Sequence, residues 1–263
     1  MSVGLGLLAL WLLAGAAMAL GWQWQRRRAN AGIVDVIWTA ALGAGAVLLA
    51  VAGSGARTPR VLLAVLGGSW SLRLAAHLWA RVRREGEDGR YRHLRALFGG
   101  RQWRWFAFFQ LQALLVPMFA LPFAAVAVNP HSYPSSLAAG IALWLLSVAG
   151  EARADAELER FRADPANRGR TCREGLWRYS RHPNYFFEWL HWFAYVALAV
   201  GSPLWALAWL GPLTMWLSLR YLSGVPWTEA QALRSRGEDY RDYQRCTPML
   251  FPWFPRHSDP TRS

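Results

Sequence analysis

Apolar residues in this chain come in blocks. Seven run along its length, roughly 2–22, 33–53, 60–80, 103–128, 134–150, 184–202 and 203–222. Most approach the ~20 residues a helix needs to cross a hydrocarbon layer. The pattern predicts an all-α polytopic membrane bundle of about seven helices, because helices satisfy their own backbone groups where water is absent. Gly201-Ser202-Pro203 separates the last two blocks and reads as a tight turn. The fifth block is expected to continue as helix through Glu151 to Arg162, with Asp155, Leu158 and Arg162 on one face. The run Asp164-Pro165-Ala166-Asn167-Arg168-Gly169 should end it. The first block lacks the basic lead of a cleavable signal, and Arg26-Arg27-Arg28 follows it instead. No internal repeat is visible. Residues 1–258 read as one integral membrane domain and Asp259 onward as a loose tail.

Charge gives the blocks a direction. All 29 basic residues are Arg, and the formal balance is +13. Three Arg follow the first block (Arg26 to Arg28), eight lie between Arg81 and Arg104, eight between Arg153 and Arg181, and seven from Arg220 onward. The opposite side carries Arg57 and Arg60. The positive-inside rule then places the N-terminus outside and the C-terminus in the cytoplasm. Arg placed beside apolar spans argues for membrane orientation and against a nucleic-acid partner. Without Lys, no Schiff base can form, which excludes a retinal protein or a lysine-imine enzyme.

Composition sharpens the polar exceptions. Hydrophobic residues make up 54% of the chain and charged residues 17%, so a charge inside a span is a functional candidate. Of 16 Asp and Glu, Asp35 and Glu188 fall within or at the edge of apolar blocks, as does Arg73 among the bases. Asp35 and Arg73 could instead form a structural ion pair. His77, four residues after Arg73, shares its helix face and suits either a packing role or a polar path. Gly67-Gly68 inside the third block suits close helix packing. Cys172 and Cys246 show no metal-ligand spacing, and the His residues form no zinc motif, so no metal is expected. No Gly-x-Gly-x-x-Gly run follows a strand, so a Rossmann site is absent.

The densest chemistry lies in Gly175-Leu176-Trp177-Arg178-Tyr179-Ser180-Arg181-His182-Pro183-Asn184-Tyr185-Phe186-Phe187-Glu188. Pro183 suits a first helical turn. Asn184 and Glu188, four apart, share a face. Amide, carboxylate, imidazole and guanidinium groups thus meet at a bilayer surface, as a polar site or as an interfacial anchor. This segment, with Asp155, the 164–169 run, and a tail containing Gly224-Val225-Pro226-Trp227-Thr228-Glu229 and Gly237-Glu238-Asp239-Tyr240-Arg241-Asp242-Tyr243, resembles bacterial membrane proteins related to steroid 5-alpha-reductases. The likeness covers about Asp35 to Pro255. The Arg-His-Pro-Asn-Tyr core with Glu229 and Tyr240 is also similar to isoprenylcysteine carboxyl methyltransferases and phospholipid methyltransferases, which use S-adenosylmethionine. Two features favour the reductases. Three spans precede the basic 81–104 loop, and Asp155 and Arg162 stand seven apart, as that family's cofactor-binding Asp and Arg do.

The resemblance implies an NADPH-dependent reduction of a carbon–carbon double bond conjugated to a carbonyl, in a lipophilic substrate such as a steroid or isoprenoid drawn from the bilayer. Segments within 134–255 would carry the cofactor. Arg73, Asp155, Arg162, Tyr179, Asn184 and Glu188 match family positions that hold it. Glu229 and Tyr240 belong to the matching tail, and Arg178 and Arg181 are further phosphate candidates, because a guanidinium fork binds phosphate in paired hydrogen bonds. Asp35 falls near the family carboxylate that binds the substrate carbonyl together with a Tyr. The Tyr position is Trp70 here, and an indole donates a hydrogen bond but no proton as a phenol does. Asp35, if protonated in an apolar setting, would stabilise the developing oxyanion, whereas Arg73 nearby would favour its carboxylate. The alternatives are an S-adenosylmethionine-dependent methyltransferase and a non-enzymatic transporter or scaffold.

Overall fold

The structure is a computed structural model and describes residues 2–222 and 224–255. The tail expected from Asp259 lies outside the described residues. Among the described residues every regular element is helical. Five stretches are long and apolar enough to cross a membrane: α1 (Val3–Arg28), α2 (Ile33–Ala52), α3 (Arg57–Arg84), Gln102–Ala127, and α7 (Pro134–Ala163). A short helix α4 (Gly89–Phe98) follows α3. The Gln102–Ala127 stretch is two helices, α5 (Gln102–Phe119) and α6 (Leu121–Ala127). Pro117 and Pro122 flank their junction and each removes a ladder N–H.

The remaining apolar blocks are shorter than the hydropathy suggests. Block 184–202 becomes α8 (Pro183–Leu198), 16 residues, or about 24 Å of helix. Block 203–222 is interrupted: α9 (Trp205–Ala208), α10 (Leu210–Leu217), then a π-helical turn Ser218–Leu222. Pro212 has no N–H to offer the Ala208 carbonyl, so α9 cannot continue into α10. The expected turn between blocks is present, and Gly201 adopts φ 90° there. A Cβ at Gly201 would approach Tyr133 to 2.7 Å. The fifth block extends through Arg162 as expected. A 3₁₀ turn, Pro165–Asn167, follows it, capped by Asp164, whose side chain accepts from Ala166 N.

The chain divides into two compact units. Unit 1 comprises Met1–Ile141 and Tyr195–Gly211, and unit 2 comprises Ala142–Ala194 and Pro212–Ser263. In unit 1 the helices meet across glycine. A Cβ on Gly43 would lie 2.2 Å from Ser71 Oγ, and one on Gly67 would lie 2.6 Å from Ala46 Cβ, so α2 and α3 touch where the Gly67-Gly68 pair predicts. Ser71 Oγ donates to Thr39 O at 2.7 Å across the same seam. Gly45 receives Leu10 of α1, and Gln110 Nε2 of α5 donates to Gly15 O of α1 at 3.2 Å. Arg60 donates to Ala50 O (2.6 Å) and Val51 O (2.9 Å), closing the end of α2. Leu12, Leu13, Leu20, Val51, Val65, Leu72, Leu111 and Leu114 remain exposed on these helices. Long helices with rows of exposed aliphatic side chains fit a lipid environment, and the chain is a membrane protein on that ground.

Candidate functional site

In unit 2, stretches far apart in sequence fold onto the segment 175–188. Two further helices, α11 (Val225–Arg236) and α12 (Glu238–Cys246), and the irregular tail 247–253 complete it. Glu157 of α7 accepts from Leu176 N at 2.7 Å, and Trp177 Nε1 donates to Ala154 O at 2.9 Å. Tyr243 donates through its hydroxyl to Trp177 O and to Ser180 O. The tail runs alongside: Arg181 N donates to Pro248 O (2.9 Å), Ser180 Oγ to Leu250 O (2.8 Å), and Trp253 N to Tyr179 O (2.9 Å). Asp239 accepts from Thr171 N (2.7 Å) and pairs with Arg173 (2.9 Å). The backbone of 171–182 is thus clamped from two sides.

The centre is Glu229. Arg181 Nε lies 2.8 Å from Glu229 Oε1, and the Arg181 NH1 donates to Gln244 O at 2.8 Å. His182 Nε2 stands 3.3 Å from the same carboxylate oxygen. Gln244 Nε2 donates to Glu229 Oε2 at 2.8 Å, and Tyr240 donates from its hydroxyl at 3.5 Å. Tyr185 stacks on His182, with centroids 5.3 Å apart, and its hydroxyl lies 3.1 Å from Thr228 Oγ1. Burial pushes the His182 imidazole below its ordinary range, against the pull of Glu229. The neutral ring must carry its proton on Nε2 to bond a carboxylate. Burial opposes the Glu229 charge, but His182, Arg181 and Gln244 outweigh it and hold this carboxyl below its ordinary value. Burial and the adjacent carboxylate push Tyr240 up, so it keeps its proton.

One helical turn away, Asn184 Nδ2 donates to Asp155 Oδ1 at 3.1 Å. This contact joins two residues that the sequence singles out 29 positions apart. Glu188 sits on α8 one turn beyond Asn184. Arg162 ends α7, exposed and within electrostatic range of Arg236. Tyr179 is about one-third exposed, its ring edge-on to Phe254 at 6.1 Å. Arg178 is exposed and lines an open cleft of about 320 Å³ together with Arg173, Tyr243, Cys246, Thr247 and Pro255. His182, Tyr185 and Thr228 lie in the motifs read from sequence, but Gln244 carries no signal that a motif search would find.

Unit 1 holds the other candidates. Asp35, in the first turn of α2, accepts from Tyr91 Oη at 2.7 Å and from an Arg90 NH2 at 3.1 Å. The partners of Asp35 therefore come from α4 and not from Arg73. With both groups donating to it, this carboxylate is an acceptor, and the reading of Asp35 as a protonated donor gives way. Burial first, then Asp35, pushes the Tyr91 phenol well up. Burial disfavours the Arg90 charge, yet Asp35, Tyr91 and Asp88 raise it overall. Beside this cluster Arg95 pairs with Glu87 at 2.6 Å, and Ala31 N donates to Glu87 at 2.8 Å. Trp70 is 1% exposed within α3, Arg73 is half-buried and His77 exposed on the same helix. Tyr91, a phenol on a loop helix, reaches Asp35 through a contact invisible to a motif confined to the third span.

The family described as protein of unknown function (DUF1295) matches residues 21–247. The chain belongs to this family. DUF1295 is associated with steroid 5-alpha-reductase-like proteins. No curated protein matches the chain at a significant level. Every candidate residue from Asp35 to Tyr240 falls within the DUF1295 match, whereas the Pro248–Trp253 tail that closes the site lies beyond it.

Proposed function

We propose that this protein is a membrane-embedded, NADPH-dependent reductase of a carbon–carbon double bond conjugated to a carbonyl. Its substrate would be a lipophilic molecule, steroid-like or isoprenoid, reached from the bilayer. The family's association with 5-alpha-reductase-like proteins supports the reading. The observation that carries it is the charge around unit 2. Arg173 and Arg178 line the cleft, and Arg162 and Arg236 lie within electrostatic range of one another. Guanidinium groups suit a polyanionic dinucleotide and oppose a sulfonium cation. The residues present also fit the cofactor's neutral parts, since Asn184 and Glu188 share a helix face and Asp155 orients the Asn184 amide.

NADPH, when bound, would supply hydride. The chain's own groups bind, orient and stabilise charge. Asn184, held by Asp155, and Arg162, Arg178, Arg181, Tyr179, Glu188, Glu229 and Tyr240 are assigned to the cofactor. Glu229 acts as the anchor that keeps Arg181, His182, Gln244 and Tyr240 in one arrangement. On the substrate side, negative charge would develop on a carbonyl oxygen, and a preplaced donor lowers that barrier. Asp35 accepts from both the Tyr91 hydroxyl and Arg90, so the donor assigned to that oxygen is the Arg90 guanidinium, which has N–H groups to spare, with Asp35, Trp70 and Arg73 kept as the substrate-side residues. We further propose seven spans, with α8 and the α9–α10 stretch as the short sixth and seventh, and Arg-rich ends in the bacterial cytoplasm.

The rival reading is an S-adenosylmethionine-dependent methyltransferase, which the Arg181–His182–Glu229–Tyr240 grouping would also serve. Thermal unfolding of purified protein with NADPH, NADH or S-adenosylmethionine separates the two. A ligand at about 100 times its Kd stabilises a native-state binder by about 2.7 kcal/mol. NADPH is expected to raise Tm, and Asn184→Ala to shrink that rise. Stabilisation by S-adenosylmethionine with none from NADPH would overturn the reductase assignment.

A further inference from the structure

The cleft beside Tyr243 is concave, basic and outside the Glu229 cluster. Its volume, about 320 Å³, lies near the ~300 Å³ lower bound of small-molecule pockets, so it takes a fragment of a dinucleotide and not the whole. Its two cations are held differently. Arg173 is fixed by Asp239, to both the carboxylate (2.9 Å) and the backbone oxygen (2.6 Å), and lies 5.8 Å over the Tyr243 ring. Arg178 has no hydrogen-bond or ion-pair partner among the described residues, and it stands on the 3₁₀ turn whose backbone Tyr243 clamps. One guanidinium is prepositioned and the other has no partner among the described residues, which is the arrangement a doubly charged anion would complete. A phosphomonoester carries about −1.5 to −2 charges on a single phosphorus near neutrality, whereas a lipid phosphodiester carries one and the diphosphate bridge of a dinucleotide spreads its two over two phosphorus atoms.

We propose that this cleft seats the 2′-phosphate that distinguishes NADPH from NADH, with Arg178 as the specificity-determining contact and Arg173 as its fixed companion. The assignment rests on the reductase reading. It makes the adenosine end of the cofactor lie along α12 and the 175–178 turn, while the Asn184–Asp155 and Arg181–Glu229 contacts remain for the rest.

Cys246 lines the same cleft and provides a reporter that does not depend on turnover. Cys172 is 2% exposed, and burial pushes its thiol up, so alkylation by iodoacetamide falls on Cys246 and is assigned by peptide mapping. In wild-type protein, 2′,5′-ADP is expected to slow Cys246 alkylation and 5′-AMP to leave it unchanged. Arg178→Ala, on an exposed side chain, is expected to weaken NADPH binding by about tenfold, as befits one charge-assisted contact at a wet site, and to leave NADH binding as it was. An equal loss for both nucleotides, or no loss for either, would overturn the cleft assignment and leave the reductase reading standing. Protection of Cys246 by phosphatidylglycerol nanodiscs as complete as that by 2′,5′-ADP would reassign the cleft to lipid headgroups. If wild-type protein binds neither NADPH nor NADH, the reductase reading falls and the cleft assignment with it.

Discussion

In unit 1, α2 and α3 meet where Gly43 and Gly67 leave no room for a Cβ, and α1 lays Leu10 against Gly45. In unit 2, the comparable contacts are hydrogen bonds spanning more than 60 residues of sequence, such as Thr171 to Asp239, Arg181 to Gln244 and Ser180 to Leu250. The contrast follows from solvent. Between helices in lipid, apolar burial offers little drive, and close backbone approach supplies dispersion contacts instead. Where backbone loops replace helices, each carbonyl and N–H needs a partner, and leaving one without costs about 1–3 kcal/mol. Unit 1 follows the second rule as well where α4 meets the start of α2, at Asp35 with Tyr91 and Arg90 and at Ala31 with Glu87.

The strongest way to break this contrast is to remove the centre of unit 2. Glu229→Ala leaves Arg181, His182 and Gln244 facing an empty position. Removing one partner of a buried ion pair costs about 3–5 kcal/mol, and Arg181 is only 12% exposed. Hydrogen exchange followed by mass spectrometry should rise in 168–182 and 225–250 while α2 and α3 keep their protection. Uniform loss across all helices would mean that the two kinds of packing are not separable. The converse variant is Gly67→Val, which drives a side chain into Ala46. Overpacking of this kind costs about 1–3 kcal/mol. It should expose the α2–α3 seam and leave the Glu229 cluster protected.

The smallest of the three effects is one of pH. His182 resists its proton in the folded protein more than in the unfolded chain. The unfolded chain therefore binds more protons, and stability declines as pH falls below about 6.5, the ordinary imidazole value. Glu229, held low by His182, Arg181 and Gln244, adds a further decline as pH falls through its depressed folded value, below the ordinary carboxyl range. Tm measured from about pH 7 down to 5 should fall in wild type and flatten in His182→Gln, which keeps a donor but cannot titrate there. An unchanged slope in that variant would assign the acid sensitivity to other groups.

The two regions also differ in how far they can be read from the amino acids. Hydropathy alone locates α1, α2, α3, the α5–α6 stretch and α7. The Asp164–Gly169 stop and the Pro183 helix start follow from local backbone chemistry, which acts over a few residues. Hydropathy overstates the block at 203–222, because a composition window averages across Pro212 without registering the missing N–H. The Glu229 cluster is half legible: motif residues mark Arg181, Glu229 and Tyr240, but nothing local marks Gln244 or the Pro248–Trp253 tail. The pairing of Asp35 with Tyr91 is likewise hidden, since the two are 56 positions apart on different helices. Patterns of period and composition record neighbours along the chain, and these contacts are made across it.

The Thr247–Trp253 segment has an implication for biogenesis. Its backbone supplies partners to Tyr179 and Arg181, residues that leave the ribosome much earlier. A nascent chain can complete every long apolar span and still leave the backbone of 179–181 without these partners until residues 247–253 are made. A chain stopped at Cys246 is therefore expected to reach the bilayer and to be recognised by proteolytic nicking in 168–182, not by its absence from the membrane.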